Sequence, residues 1–236
     1  MIRTRIQLLL VVIQVVVAMP RTQAGSIEDE GWWSAMFAQG DIEWLPDSSN
    51  RWRWWFDGHA RFHDDANGFN VSIVRPGIGY KLTDNTTVWA GYGWIRTNPI
   101  NGAPNFDENR IWQQVTWSEQ AGDFRVGLRS RFEQRFVEIG DDTGLRFRQF
   151  ASARAPVTTD KRLTFVTWDE VFIHLNDTDF GTRTGFNQNR AFVGFGWNRC
   201  PETTSRIEFG YLNQYIDSRT GLDRMNHLLS VNVFVP

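Results

Sequence analysis

Lysine is all but missing from this chain. Of 25 basic residues in 236, only Lys81 and Lys161 are lysines and the rest are arginine. Arginine is favoured where charge is buried, paired or aimed at carboxylate and phosphate groups, which is not the need of an ordinary soluble surface. Cysteine is nearly absent as well. Cys200, in an Arg-Cys-Pro turn, is the one thiol, so no internal disulfide can form and stability must come from backbone ladders and packing. No role is assigned to it. Histidine is limited to His59, His63, His174 and His227, spread over three segments with no thiolate cluster beside them, so no metal site is expected. A phosphate-binding glycine loop and a Gly-x-Ser-x-Gly nucleophile context are both missing. The sequence calls for no cofactor and does not read as an enzyme.

A long apolar run is also missing after residue 24, and a membrane-crossing helix needs roughly 20 such residues. Residues 1–24 read as a signal peptide. Arg3 and Arg5 make a basic start, Leu8 to Met19 an apolar stretch too short to span a bilayer, and Thr22-Gln-Ala24 a small-residue cleavage site. Without that leader, which holds Arg3, Arg5 and Arg21, 22 basic residues face 27 acidic ones. An acidic balance of this kind argues against a nucleic-acid partner. Residues 25–236 are one domain's worth of an all-β barrel.

What is abundant is alternation. In Asp123 to Phe136, the residues Phe124, Val126, Leu128, Phe132 and Phe136 share one face with Ser130 and Gln134, and Arg125, Arg129, Arg131, Glu133 and Arg135 share the other. A period of two is a β-strand, because successive side chains point to opposite faces. This one runs on the order of 14 residues, where strands usually run about 5–6. Eleven such segments follow one another. Trp32 to Glu43 alternates poorly. Arg51 to His63 alternates cleanly, with Trp52, Trp54, Phe56 and Phe62 against Arg51, Arg53, Asp57, His59, Arg61 and His63. Phe69 to Leu82 is ambiguous and carries Pro76, which suits an edge or a bulge. Thr87 to Arg96, Glu108 to Ser118, Leu145 to Ala155, Phe186 to Trp197, Arg206 to Ile216 and Met225 to Val235 each set an apolar face against a polar or glycine-bearing one. Leu163 to Leu175 has no clear facing and holds Asp169-Glu170.

Long strands, apolar on one face and charged on the other, are the pattern of a barrel crossing an outer membrane, lipid outside and polar lumen inside. The twelve tryptophans fit aromatic belts at its two interfaces. A soluble barrel with the apolar face inward is the competing arrangement. The expected fold is an antiparallel up-and-down transmembrane barrel of 10–12 strands, twelve being preferred because such barrels have even strand numbers. Short connections near 83–86, 119–122, 156–161 and 199–204 alternate with longer ones near 97–107, 176–184 and 217–224, which leaves the C-terminus at the periplasmic end.

The mature chain also resembles the bacterial family called domain of unknown function 2490, placed among outer-membrane β-barrels. The resemblance rests on Trp32-Trp33, Ala60-Arg61-Phe62, Gly91 to Trp94, Glu108-Asn-Arg110, the arginine-rich pair Arg129 to Arg135 and Arg146 to Arg148, Asp169 to Phe172, Asn189-Arg190, Glu208 to Tyr211 and Asn226-His227. It implies an outer-membrane location and a barrel, and transfers no catalytic residue.

The candidate site is the lumen face itself. Arg51, Arg53, Arg61, Arg110, Arg125, Arg129, Arg131, Arg135, Arg146, Arg148, Arg190 and Arg206 point to it, with Asp57, Glu108, Glu133, Glu208 and one of Asp169 or Glu170 as the acids and His59 among them. A cationic lining favours anions, so the first expectation is a narrow, arginine-lined channel for small anionic solutes. The alternatives are a structural barrel whose lumen is packed by ion pairs, because buried charge must be paired, and a barrel hydrolase using Asp57, His59 and His63. Gly91, Gly93, Gly194 and Gly196 face inward, where they make room for large neighbours. Outer-membrane lipid and small anions are the expected partners.

Overall fold

The computed structural model describes residues 26–43, 51–63, 68–99, 102–198, 205–218 and 221–236. The leader and Cys200 lie outside the described residues. Eleven strands form one closed barrel: β1 (Ser26–Asp41), β2 (Trp52–His63), β3 (Gly68–Lys81), β4 (Thr86–Thr97), β5 (Phe106–Ala121), β6 (Phe124–Val137), β7 (Thr143–Pro156), β8 (Leu163–His174), β9 (Gly185–Asn198), β10 (Arg206–Ile216) and β11 (Asp223–Val235). At 11 to 16 residues each, they are long enough for tilted bilayer crossing, which takes about 9–11.

Consecutive strands pair antiparallel. With an odd number, the first and last strands must run the same way, and β1 pairs β11 in parallel from Ser26 opposite Asp223 to Ala38 opposite Val235. This corrects the expectation of an even, wholly antiparallel barrel and puts the weakly alternating first segment inside the wall. A parallel ladder satisfies edge backbone groups as an antiparallel one does, so closure does not require evenness. One consequence is that the two ends of the described chain lie at opposite mouths. Of the connections described throughout, the mouth holding Ser26 (the N-mouth) carries 138–142 and 175–184. The mouth holding Val235 (the C-mouth) carries 82–85, 122–123 and 157–162.

Facing is decided by exposure. Leu229 is 58 % exposed, Ile111 49 % and Phe124 47 %, while Arg131 is 1 % exposed and Glu133 and Asp57 are fully buried. The apolar face is outward and the arginines are inward, which excludes the soluble arrangement. Pro76 has no N–H to give, and the β3–β4 ladder breaks there, passing from Val74–Trp94 directly to Gly77–Gly91.

The tryptophans divide between the two faces. Trp32, Trp52, Trp54, Trp94, Trp117 and Trp197 sit outward near the two mouths, as interface belts require. Trp33, Trp89 and Trp112 are buried in the lumen. Trp55 also turns inward, donating from Nε1 to Asp57 at 2.6 Å, and Trp168 stacks on Phe192. On the β8–β11 side the lumen holds an apolar cluster of Trp33, Val166, Phe192, Leu212 and Leu228. Interface belts therefore account for only part of the tryptophan excess.

Candidate functional site

At mid-height, the inward faces of β2, β3 and β5 to β9 send charged side chains across the lumen. Glu133 on β6 is the hub. Its carboxylate accepts from Arg146 Nε at 2.9 Å and Arg148 Nη1 at 2.7 Å, with Arg131 at 3.8 Å and Arg110 at 3.9 Å. Glu170 on β8 accepts from Arg129 and Arg148, both at 2.7 Å. Glu108 on β5 takes Arg110 at 2.6 Å and Arg135 at 2.5 Å. Across the barrel, Asp57 on β2 accepts from Arg75 Nε at 2.7 Å and meets His59 Nε2 at 2.7 Å. These side chains are buried from water and form one belt.

The arginines outnumber the belt's carboxylates, and aromatic faces take up the surplus. Arg131 lies 4.6 Å from the Trp112 ring. Arg61 and Arg190 lie 4.1 Å and 4.8 Å from the Trp33 ring, and Arg190 and Arg148 each lie 4.5 Å from Phe172. Such stacking is worth about 0.5–2 kcal/mol and suits the delocalised guanidinium. It leaves donors unused: both terminal nitrogens of Arg131 and the Nε atoms of Arg61, Arg129 and Arg190 have no hydrogen-bond partner among the described residues. Arg61 and Arg190 have no carboxylate at ion-pair distance among the described residues.

Above the belt, towards the N-mouth, a cavity of about 430 Å³ opens. Its floor includes Arg61, Arg75, Arg110, Arg148 and Arg190, and Arg135, Arg146 and His174 stand higher. Connection 175–184 folds over it, with Phe180 5.8 Å from the Arg135 guanidinium. That connection is clasped to 138–142, because Asp179 accepts from the backbone N–H of Asp141 at 2.7 Å and gives its own N–H to Asp142 at 2.8 Å. The Asp141 amide is the first cause holding the Asp179 carboxyl below the usual carboxylate range. This contribution is present at neutral pH and fades as pH falls through the lowered value.

Most of the expected lumen residues meet in or beside the belt: Asp57, His59, Arg61, Glu108, Arg110, Arg129, Arg131, Glu133, Arg135, Arg146, Arg148 and Arg190. Others do not. Arg206 and Glu208 pair at 2.7 Å nearer the C-mouth, with Arg154 at 3.5 Å. Arg53 reaches Asp41 at 3.4 Å there. Arg51 and Arg125 are exposed on the rim, Arg51 beside Tyr80 and Arg125 donating to Gln120, and so do not line the lumen. Alternation assigns a face but not a height. Arg75 was missed because β3 is apolar on both faces and offers no contrast, and the lumen tryptophans were missed for the same kind of reason.

Asp57 and His59 do meet, but Arg75 Nη2 also sits 2.8 Å from His59 Nε2, so that nitrogen is committed to the ion-pair network. His63 pairs instead with Asp29 at 3.0 Å. Among the described residues no group of three His, Cys, Asp or Glu side chains is placed to hold a metal.

Of the adjacent acids, Glu170 points inward and Asp169 outward. Asp169 is nonetheless buried, between Ala151 and Ala191 on the flanking strands, with both oxygens on Asn189 Nδ2 at 2.9 and 3.0 Å. It lies mid-strand on the face that meets hydrocarbon, where polar groups are costly. Replacing both partners, Asp169→Val with Asn189→Val, is expected to stabilise the barrel by about 1–3 kcal/mol, as apolar replacement of buried polar pairs can. The check is the urea midpoint of folding into phospholipid vesicles, and a lowered midpoint would contradict it.

The family model described as a protein of unknown function (DUF2490) matches residues 30–226. The chain belongs to this family. Every DUF2490 belt residue falls inside that match. An uncharacterised protein of Methylorubrum extorquens is 35% identical over 167 residues, covering 69% of this chain and 71% of its own. Among solved structures, the NanC porin is similar over 83% of this chain and 92% of its own, at 16% identity and a TM-score of 0.48. The outer-membrane expressed OmpT of Vibrio cholerae is similar over 70% of this chain and 55% of its own, at 13% identity and a TM-score of 0.40.

Proposed function

We propose that this DUF2490 barrel resides in the outer membrane of a Gram-negative cell and is a narrow, arginine-lined channel for small anionic solutes. The observation that carries the reading is the surplus of positive charge in the lumen: arginines outnumber carboxylates in the belt, and Arg61 and Arg190 face the cavity with no carboxylate at ion-pair distance among the described residues. Buried cations without counter-ions are costly, and an anion entering the cavity relieves that cost. Among the connections described throughout, the longest, 175–184, is at the N-mouth and the shortest, 122–123, at the C-mouth, which supports an external N-mouth and a periplasmic C-mouth. Solute enters the cavity from outside, and the ion-paired belt is the constriction.

One observation favours a second reading. Glu133 and Asp57 are wholly buried in a belt that crosses the lumen, as expected of a structural barrel packed shut. Conductance across a planar bilayer, with a salt gradient to read selectivity, separates the two. A channel gives discrete anion-selective steps whose selectivity falls towards unity when Arg61→Gln and Arg190→Gln are combined. A barrel that inserts yet stays silent over a range of voltages is the packed one.

A further inference from the structure

We infer that the N-mouth cavity is a binding site for an amphiphilic carboxylate, an anion with an apolar or aromatic body, in preference to a hydroxylated anion of the same charge. This deepens the channel reading and rests on its anion-binding lumen. The lumen of a membrane barrel is expected to be polar. Here the inward positions of β3, β4 and β6 beside the N-mouth are Val71, Ile73, Ile95 and Val137, which line the cavity as an apolar wall. Ile73, Ile95 and Val137 are 3%, 2% and 5% exposed, so the wall is packed in place. Phe172 and Phe186 face the same space from β8 and β9.

Beneath that wall lies the arginine floor. Arg190 is 8% exposed and lines the cavity, has no carboxylate at ion-pair distance among the described residues, and donates from Nη2 to Gln188 at 3.3 Å. A carboxylate can accept from a guanidinium with two oxygens at once. A site with charge at its base and hydrocarbon on its side matches one ligand geometry: a carboxylate head pointing down and an apolar body against Val71, Ile95 and Val137. A polyhydroxylated anion would find partners at Gln188 and Gln214 across the cavity, but the hydroxyls it turns to the apolar wall would be desolvated there, which costs affinity. The volume of about 430 Å³ falls within the roughly 300–1,000 Å³ of small-molecule sites.

The test is isothermal titration calorimetry on the refolded mature chain in non-ionic detergent, with 3-phenylpropionate and gluconate as probes. The expected result is that 3-phenylpropionate binds at least tenfold more tightly. Arg190→Gln should abolish binding of both anions. Val71→Thr combined with Val137→Thr, which keeps side-chain volume, should erase most of the preference by weakening 3-phenylpropionate and strengthening gluconate. Ile95→Asn is a stronger form of the same change, and the threonine pair keeps the test alive should that variant fail to fold. Equal affinities, tighter gluconate, no binding of either anion, or a preference indifferent to the threonine pair would each overturn the inference. Because binding is read without current, the two readings fail separately. Selective binding by an electrically silent barrel keeps the site and removes the channel, and anion conductance without selective binding does the reverse.

Discussion

Replacing Glu133 with glutamine is expected to destabilise the barrel by about 3–5 kcal/mol, the usual cost of breaking a buried ion pair from one side. Glu133 is the carboxylate on which four guanidiniums converge, those of Arg146, Arg148, Arg131 and Arg110. Glutamine keeps the shape and removes the charge. Arg148 retains Glu170 and Arg110 retains Glu108, so those two stay compensated. Arg146 has no other carboxylate at ion-pair distance among the described residues, and Arg131 keeps one hydrogen bond, from Nε to Gln114 at 2.7 Å. The loss should therefore concentrate on Arg146. Adding Arg146→Gln to Glu133→Gln should recover much of it, a coupling that a double-mutant cycle isolates. Urea titration in phospholipid vesicles reads both. Lys161→Gln, at an exposed pair with Asp123 on the C-mouth, is the control and should move the midpoint by no more than about 1 kcal/mol. A Glu133→Gln midpoint as little changed as the control's would mean that water, not the belt, compensates these arginines.

The same contrast explains what the sequence discloses and what it hides. β2 and β6 are legible because their two faces differ in kind, aromatic against charged, and the wall places them as the alternation says. β3 hides Arg75 because Val71, Ile73, Gly77 and Gly79 on its inward face look no different from Ser72, Val74 and Ile78 outside. β8 hides which acid is inward, since Val166 and Phe172 face the lumen and Phe165 and Val171 face lipid. Both failures occur where the lumen is itself apolar, beside the cavity wall and beside the Trp33–Phe192 cluster. Strand parity failed differently. It is a habit of barrels whose chain ends share a side, and no local residue pattern reports whether the last ladder is parallel. Height along the barrel is equally silent, which is why Arg51 and Arg125 were placed in the lumen although they stand on its rim.

Glycine 91 shows how closely wall and belt depend on each other, and its replacement by alanine is expected to cost about 3 kcal/mol, at the upper end for overpacking. Glycine inside a strand weakens it and persists where something must approach the backbone closely. A Cβ at Gly91 would overlap both the Trp112 ring and the carbonyl oxygen of Pro76, and one at Gly77 would overlap the same ring. Trp112 thus lies in a trough of two glycines on adjacent strands, with its Nε1 donating to the Tyr92 carbonyl at 3.0 Å. Its other face carries Arg131. A methyl group at position 91 cannot displace the Pro76 backbone, so the ring must lift towards the lumen and push on Arg131. Trp112→Ala removes the ring instead and should cost about 3–5 kcal/mol through the void it leaves. Combining Gly91→Ala with Trp112→Leu should cost less than the sum of the two single changes, because the smaller side chain vacates the trough. Urea midpoints in vesicles give all three values. Strict additivity would mean that Gly91 answers to the Pro76 carbonyl alone and that the tryptophan ring sits free of the wall.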